Sequence, residues 1–403
     1  MRRSKVPPLP GPLPPLRVGR GSPLFTPVRD HSLSPRGTSG ERVGERGGSS
    51  HLESRLELAP LSARLIQLRC VLACLLTALV SLSGADLSGS LKEKSGSANT
   101  NAAQRRPFPD AHFILEPGDV VAFLGGADVE AAQHGGHLEA LLAARNRGLE
   151  VRFRNFGWEG DTVHTQPRDV GFPSLKEHLR RAGVSVIALQ FGRSEALSGR
   201  GGLAAFVSDY QKLLDECARQ TPRLALVTPP PFEKGGGWLP DLSARNSDLA
   251  EYADAIRNLS RQRNLPLVDL FAELGGTTHR EPRLTDDGLQ LTPRGQAYLA
   301  RAFARQLGFE NVADAAGAAD EQGVWSNAAF ERLRQVVVAK NQLWFNYWRP
   351  QNWAFLGGDR TEQPSSRDYR NPAIRWFPAE MEKFVPLIEA KEREIAELAN
   401  KLP

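Results

Sequence analysis

The sequence predicts an α/β fold in which a five-stranded parallel sheet lies between two layers of helices. Three observations predict it. Short apolar runs alternate with segments of helical period from about residue 117 to 309. The runs are apolar on both faces, as buried parallel strands require. Gly-rich and polar segments follow the strands, where open α/β sheets carry their sites.

The elements follow in order. Val120-Val121-Ala122-Phe123-Leu124 is an apolar run that ends at Gly125-Gly126 and reads as strand one. A helix is expected from about Val129 to Arg145, with Leu138, Leu141 and Leu142 at helical spacing and Gly135-Gly136 as its weak point. Strand two is about Val151–Asn155. Leu175–Arg181 is a short helix capped by Ser174. Val184–Gln190 is strand three. Leu203–Gln220 is a helix with Phe206, Tyr210, Leu213, Leu214 and Cys217 on one face. Leu224–Thr228 is strand four, stopped by Pro229-Pro230-Pro231. Asp241 is expected to cap a long helix running to about Arg263. Leu267–Leu270 is strand five, and Pro293–Gln306 closes the unit as a helix.

Around this core, residues 113–310, lie segments of other composition. The chain has 403 residues and a formal charge of +5. Residues 1–85 hold twelve Lys/Arg against five Asp/Glu, a surplus of +7, so the remainder carries −2. The basic excess therefore sits in an arm, which argues against a nucleic-acid-binding face. Residues 1–63 are rich in Pro, Arg, Gly and Ser with no sustained apolar period, and read as disordered. Arg64 and Arg69, the run Val71–Val80 and Ser83-Gly84-Ala85 have the form of a signal peptide over 64–85, too short to remain as a membrane span. Export is therefore expected, with a translation start nearer Arg64. Residues 86–112 are a polar linker. Cys70 and Cys74 lie in the signal, so Cys217 is the single cysteine after it. No disulfide framework, Cys-based metal site or cofactor is expected. Residues 311–403 begin with an Ala/Gly/Asp linker and continue as an aromatic-rich, mostly helical extension with five of the seven Trp.

The most informative motif is Asn155-Phe156-Gly157-Trp158-Glu159-Gly160-Asp161-Thr162. Two glycines three apart, directly after a strand, demand a tight turn with exposed backbone N–H groups, and such a turn stabilises a developing oxyanion. Three more blocks stand at strand ends: Phe123-Leu124-Gly125-Gly126-Ala127-Asp128, then Phe191-Gly192-Arg193-Ser194-Glu195, then Asp287-Gly288-Leu289-Gln290.

In order and spacing these four blocks resemble those of the SGNH/GDSL hydrolases, a family of ester hydrolases. The resemblance covers roughly Pro117–Phe309 and implies a three-layer, flavodoxin-like fold. It also implies site positions. The family's serine nucleophile falls on Ala127 and the aspartate before it on Gly126. The oxyanion glycine falls on Gly160 and the oxyanion asparagine on Ser194. The acid of the last block is Asp287, and the histidine base falls on Gln290. Of these hallmark residues only the glycine survives beside Asp287. Alanine has no nucleophilic atom, and an amide does not titrate near neutral pH. The tail from Asn341 onward is similar to that of a group of exported bacterial proteins of this family.

Other side chains near these blocks are weighed as accessory residues: Asp128, Asp161, His164 and Glu195. Asp128, Asp161, Glu195, Asp286 and Asp287 also raise the alternative of relocated carboxylate chemistry, set against ordinary capping. Ser194 as a replacement nucleophile, His279 as a displaced base and His134/His137 as metal ligands are further alternatives. Each is set against a plain structural role. The Trp-rich tail could stack on sugar rings or dock against the core, and Arg349, Arg360 and Arg367 could bind an anionic group. The expected partner is a small-molecule or carbohydrate ligand.

Overall fold

A computed structural model describes residues 105–278 and 283–403. The arm, the signal segment, most of the linker and His279 lie outside the described residues. The sheet has five strands: β1 (Val120–Gly125), β2 (Arg152–Asn155), β3 (Val186–Gln190), β4 (Leu224–Val227) and β5 (Leu267–Val268). Their order is β2-β1-β3-β4-β5, and every pair is parallel. This is the flavodoxin-like arrangement, with its reversal point between β1 and β3.

Alternation along the strands explains the layers. Val120, Ala122 and Leu124 of β1 and Ile187 and Leu189 of β3 face one core. On that side pack α3 (Leu175–Arg181), α4 (Leu203–Ala218) and α5 (Asn246–Arg263). Val121 and Val186 face the other core, with α2 (His137–Arg145) and α7 (Pro293–Gln306). β1, β3 and β4 thus bury both faces, as their apolar runs require, whereas β2 (Arg-Phe-Arg-Asn) begins with an exposed Arg152.

Several expected boundaries change; strand three begins at Val186, and strand five ends at Val268, with Leu270 opening a helix. The helix expected over 129–145 is two helices, α1 (Ala127–Gly135) and α2, because Gly136 adopts φ +67°. That left-handed residue ends α1 and re-aims the chain. Asp241 accepts from Ser243 N–H and caps a short 3₁₀ turn, Leu242–Arg245, rather than the long helix that follows. Ser174 does cap α3, accepting from Glu177 N–H. A four-residue helix, α6 (Leu270–Glu273), leaves β5, and α8 (Glu310–Ala316) occupies part of the segment expected as linker.

The C-terminal helices are α9 (Ala328–Trp348), α10 (Trp353–Leu356), α11 (Trp376–Glu382) and α12 (Phe384–Asn400). Of these, α9 and α12 extend the two cores described above. Trp344, Trp348 and Ile388 join the first; Phe330, Leu333, Val337 and Ile395 join the second. Lys340 of α9 is buried and pairs with Glu139 of α2 at 2.6 Å. Its ammonium also donates to Phe153 O at 3.0 Å and Asn341 Oδ1 at 2.7 Å. Among the described residues no helix is long and apolar enough to cross a membrane.

Candidate functional site

All four blocks meet at the C-terminal ends of β1, β2 and β3. The β1–β2 ladder runs on past the strands: Phe156 N–H donates to Phe123 O and Trp158 N–H to Gly125 O. Asn155 then sets the turn with its side chain, donating to Val129 O at 2.6 Å and accepting from Gly157 N–H at 2.8 Å. Gly157 lies against the first turn of α1. A Cβ there would stand 2.3 Å from Glu130 N, so only glycine fits. Gly160 is different: a Cβ would meet nothing within 4 Å. It is exposed, and its N–H has no acceptor among the described residues.

Gly126 is the N-cap of α1, and a Cβ on it would meet Asp161 O at 2.9 Å. Ala127 opens α1 and is exposed, presenting a methyl where an attacking oxygen would be needed. Ser194 is exposed and makes no capping bond at the 3₁₀ turn it precedes. Asp287 Oδ1 accepts from the N–H groups of Leu289 and Gln290 at 2.8 and 2.7 Å, which closes that loop on itself. Gln290 is exposed.

The side chain that joins the first block to the last is Arg193, only 7% exposed. It donates to Asp128 Oδ1 at 2.6 Å, to Leu289 O at 2.7 Å and, more weakly, to Pro231 O at 3.3 Å. Asp128 is the neighbour of Ala127, and Leu289 the neighbour of Gln290. A buried guanidinium–carboxylate pair thus spans the gap between the positions of the family's nucleophile and base. Sequence reading passed over Arg193, since a pair 65 residues apart leaves no local signal. Beneath α1 a cavity of ≈ 40 Å³ is lined by Phe123, Asp128, Gln133, Asn155 and Gln190, among others. That is room for a few waters, and none of Ala127, Gly160, Ser194 and Gln290 lines it.

Glu195, 5% exposed, accepts from Val163 N–H and Gly192 N–H, both at 2.9 Å, and so staples the second block to the third. Asp161 is held bidentately by Arg168 at 2.6 and 2.7 Å. Burial pushes its carboxyl above the usual range, against the pull of Arg168. His164 Nδ1 pairs with Asp209 at 2.8 Å on the surface. Asp128, Asp161, Glu195 and Asp287 therefore each accept from a donor named above, and no two of them form a free catalytic pair. His134 and His137 part ways: His134 pairs with Glu130, while His137 is buried, bonded to Gly323 O at 2.7 Å and edge-on to Trp325. Among the described residues no group of three or more His, Cys, Asp or Glu could hold a metal ion.

The tail reaches this site. Trp344 Nε1 donates to Asn155 O at 2.8 Å, and Arg349 pairs with Glu159 at 2.7 Å. Trp344 and Trp348 are buried, so neither offers a ring face to a ligand; Arg367 pairs with Glu362, and Arg360 lies over Phe355. The fully presented indole is Trp238, 91% exposed. It tips a glycine-rich finger whose base is tied to the last block: Glu233 N–H donates to Gly288 O and Gly236 N–H to Asp286 O.

His178 sits among Phe156, Phe172 and Trp348. Burial, with Arg181 and Arg168 nearby, lowers it from 6.5 to about 4. Burial likewise lowers His137 to about 4, partly opposed by its bond to Gly323. The unfolded chain therefore binds two protons between pH 6.5 and 4 that the folded chain refuses. Their neutral-form stabilisation is complete above about pH 6.5 and is lost as pH falls toward 4. The unfolding free energy from urea titration should fall across that window by on the order of 1 kcal/mol per pH unit for each histidine. His178→Phe should remove its share; an unchanged slope would place the proton uptake elsewhere.

The model of the GDSL-like lipase/acylhydrolase family matches residues 118–298. Among solved structures, the chain is similar to Axe2, an acetylxylan esterase from Geobacillus stearothermophilus, at 18% identity, 48% of this chain, 96% of that one and TM-score 0.37. It is similar to the lipase/acylhydrolase from Enterococcus faecalis at 18% identity, 47% of this chain, 95% of that one and TM-score 0.35. A likeness to BT4096, a gut microbial diltiazem-metabolizing enzyme, extends over 73% of this chain and 96% of that one, at 10% identity and TM-score 0.43. No curated protein matches.

Proposed function

Residues 118–298 belong to the GDSL-like lipase/acylhydrolase family, and from that premise we propose that the chain is an exported member in which Ser–His ester hydrolysis is lost and the cleft serves to bind a carbohydrate ligand. The observation that carries this reading is the Arg193–Asp128 pair. It lies beside Ala127 and, through Leu289 O, beside Gln290. An acyl transfer needs a nucleophile, a base and room for the carbonyl between them. Here the first two are a methyl and an amide, and a guanidinium bridges their neighbours. What stays accessible suits binding: the Gly160 N–H, the Ser194 hydroxyl and the indole of Trp238.

The test is a paired assay on the purified chain. Turnover of p-nitrophenyl acetate and acetylated xylan should stay at the uncatalysed background, while a glycan array or xylohexaose titration should report binding. Robust turnover that disappears in Ser194→Ala or His164→Ala would overturn the reading. Trp238→Ala should weaken xylohexaose binding by up to about tenfold, the scale of one lost ring contact. Trp348→Ala should act through folding instead, since that ring is buried. Export is checked by sequencing the N-terminus of the native protein, with cleavage expected near Ala85.

A further inference from the structure

The turn that presents Gly160 holds itself by little backbone bonding. Within it, Asp161 N–H donates to Trp158 O at 2.9 Å. Its shape is fixed mostly by side chains, and half of these partners come from the tail. The Trp158 ring lies under two guanidinium groups, Arg168 at 4.2 Å and Arg349 at 3.8 Å from its centroid. Each of those cations is also paired to a residue of the same turn, Arg168 to Asp161 and Arg349 to Glu159. Trp348 meets Trp158 edge-on at 5.7 Å, and Phe172 does so at 5.6 Å. Trp348 is the last residue of α9 and Arg349 its C-cap. The helix end thus grips Trp158 and Glu159, the two residues just before Gly160.

We propose that the C-terminal extension is a working part of the site, with Arg349 as a positioning residue that holds the Gly160 turn in the shape a ligand meets. Two independent contacts support the assignment to this one side chain: it stacks on Trp158 and it neutralises Glu159. Loss of Arg349 frees both at once, and leaves the turn to its one internal backbone bond, the Trp158 N–H bond to Gly125 O, the Val163–Glu195 staple, the Arg168 side and the Phe172 and Trp348 ring contacts. Site and tail are then coupled: whatever engages the Gly160 amide favours the docked tail, and an undocked tail loosens the turn. The inference rests on the binding reading only for what the turn faces; the clamp itself is tested without any ligand.

The experiment is hydrogen exchange by mass spectrometry on the full chain. Arg349→Ala should raise exchange in peptides covering 155–163 by about tenfold, the scale of one lost cation–π contact and ion pair. Exchange in peptides over β1 and β3 should stay as in the parent. Arg349→Lys keeps the charge but not the planar stack, and should recover part of the protection. Arg367→Ala, a tail residue away from the turn, should leave 155–163 unchanged. Unaltered exchange at 155–163 in Arg349→Ala would overturn the proposal, and so would a uniform rise across the protein. Should Arg349→Ala fail to fold, Glu159→Gln removes the same ion pair from the other side. It should loosen the same peptides, and no change there would overturn the clamp. Absence of sugar binding with a loosened turn would sink the ligand reading and leave the clamp standing.

Discussion

Lys340→Ala is expected to destabilise the folded chain by about 3–5 kcal/mol, the range for removing one member of a buried pair. Lys340 is 1% exposed and sits 2.6 Å from Glu139, which is itself buried. Burial pushes the ammonium down and the carboxyl up, and their pairing opposes both shifts. Truncation leaves the Glu139 carboxylate buried opposite a void. It also strands the Phe153 carbonyl and Asn341 Oδ1 that the ammonium now serves. Because Lys340 lies on α9, the loss should first appear as undocking of the tail, visible as early exchange in α9 and α12. Lys340→Met/Glu139→Gln should recover much of the stability, since a neutral pair leaves no unpaired charge. Urea unfolding checks both variants. A loss below about 1 kcal/mol in Lys340→Ala would mean that water reaches Glu139.

Ala127→Ser/Gln290→His should not by itself create an esterase. It restores a hydroxyl and an imidazole, yet Arg193 still holds Asp128 and the Leu289 carbonyl beside them. That guanidinium would sit next to the new histidine and disfavour its protonated form in the transition state. Turnover of p-nitrophenyl acetate should rise less than about tenfold over the parent in the double variant. Adding Arg193→Ala should release the constraint and give about 10²-fold or more, the lower end of general-base catalysis. If the double variant alone reaches that level, the Arg193 bridge is no obstacle and the argument built on it fails.

Much of the fold was legible because its signals are local. Apolar runs such as Val186–Gln190 carry the two-face burial of a parallel strand, and Ser174 three residues before Glu177 announces a cap. The break at Gly136 was visible as a weak point but not as a full turn. A left-handed glycine and a tolerated helical glycine read alike until packing is known. The first three blocks were legible for the same reason as the strands, since each follows a strand end. Their partners were not. Arg193 reads as a variable position within its block, and Lys340 reads as a solvated charge on an amphipathic helix. In both cases the deciding contact comes from a residue far along the chain: Asp128, and then Glu139. The tail likewise shows aromatic composition without showing which rings are buried.

The close approach of Gly157 to α1 has a consequence for how such proteins are recognised. A substituent at that position collides with backbone atoms, whatever chemistry the neighbouring cleft performs. Gly125 is under the same constraint, since a Cβ there would stand 2.4 Å from Gln190 O. Purifying pressure on these two letters would come from packing at the C-terminal end of the sheet and would not depend on which catalytic side chains stand beside them. A profile weighted on such letters therefore detects descent, and turnover has to be judged from the positions that packing leaves free to drift, Ala127 and Gln290.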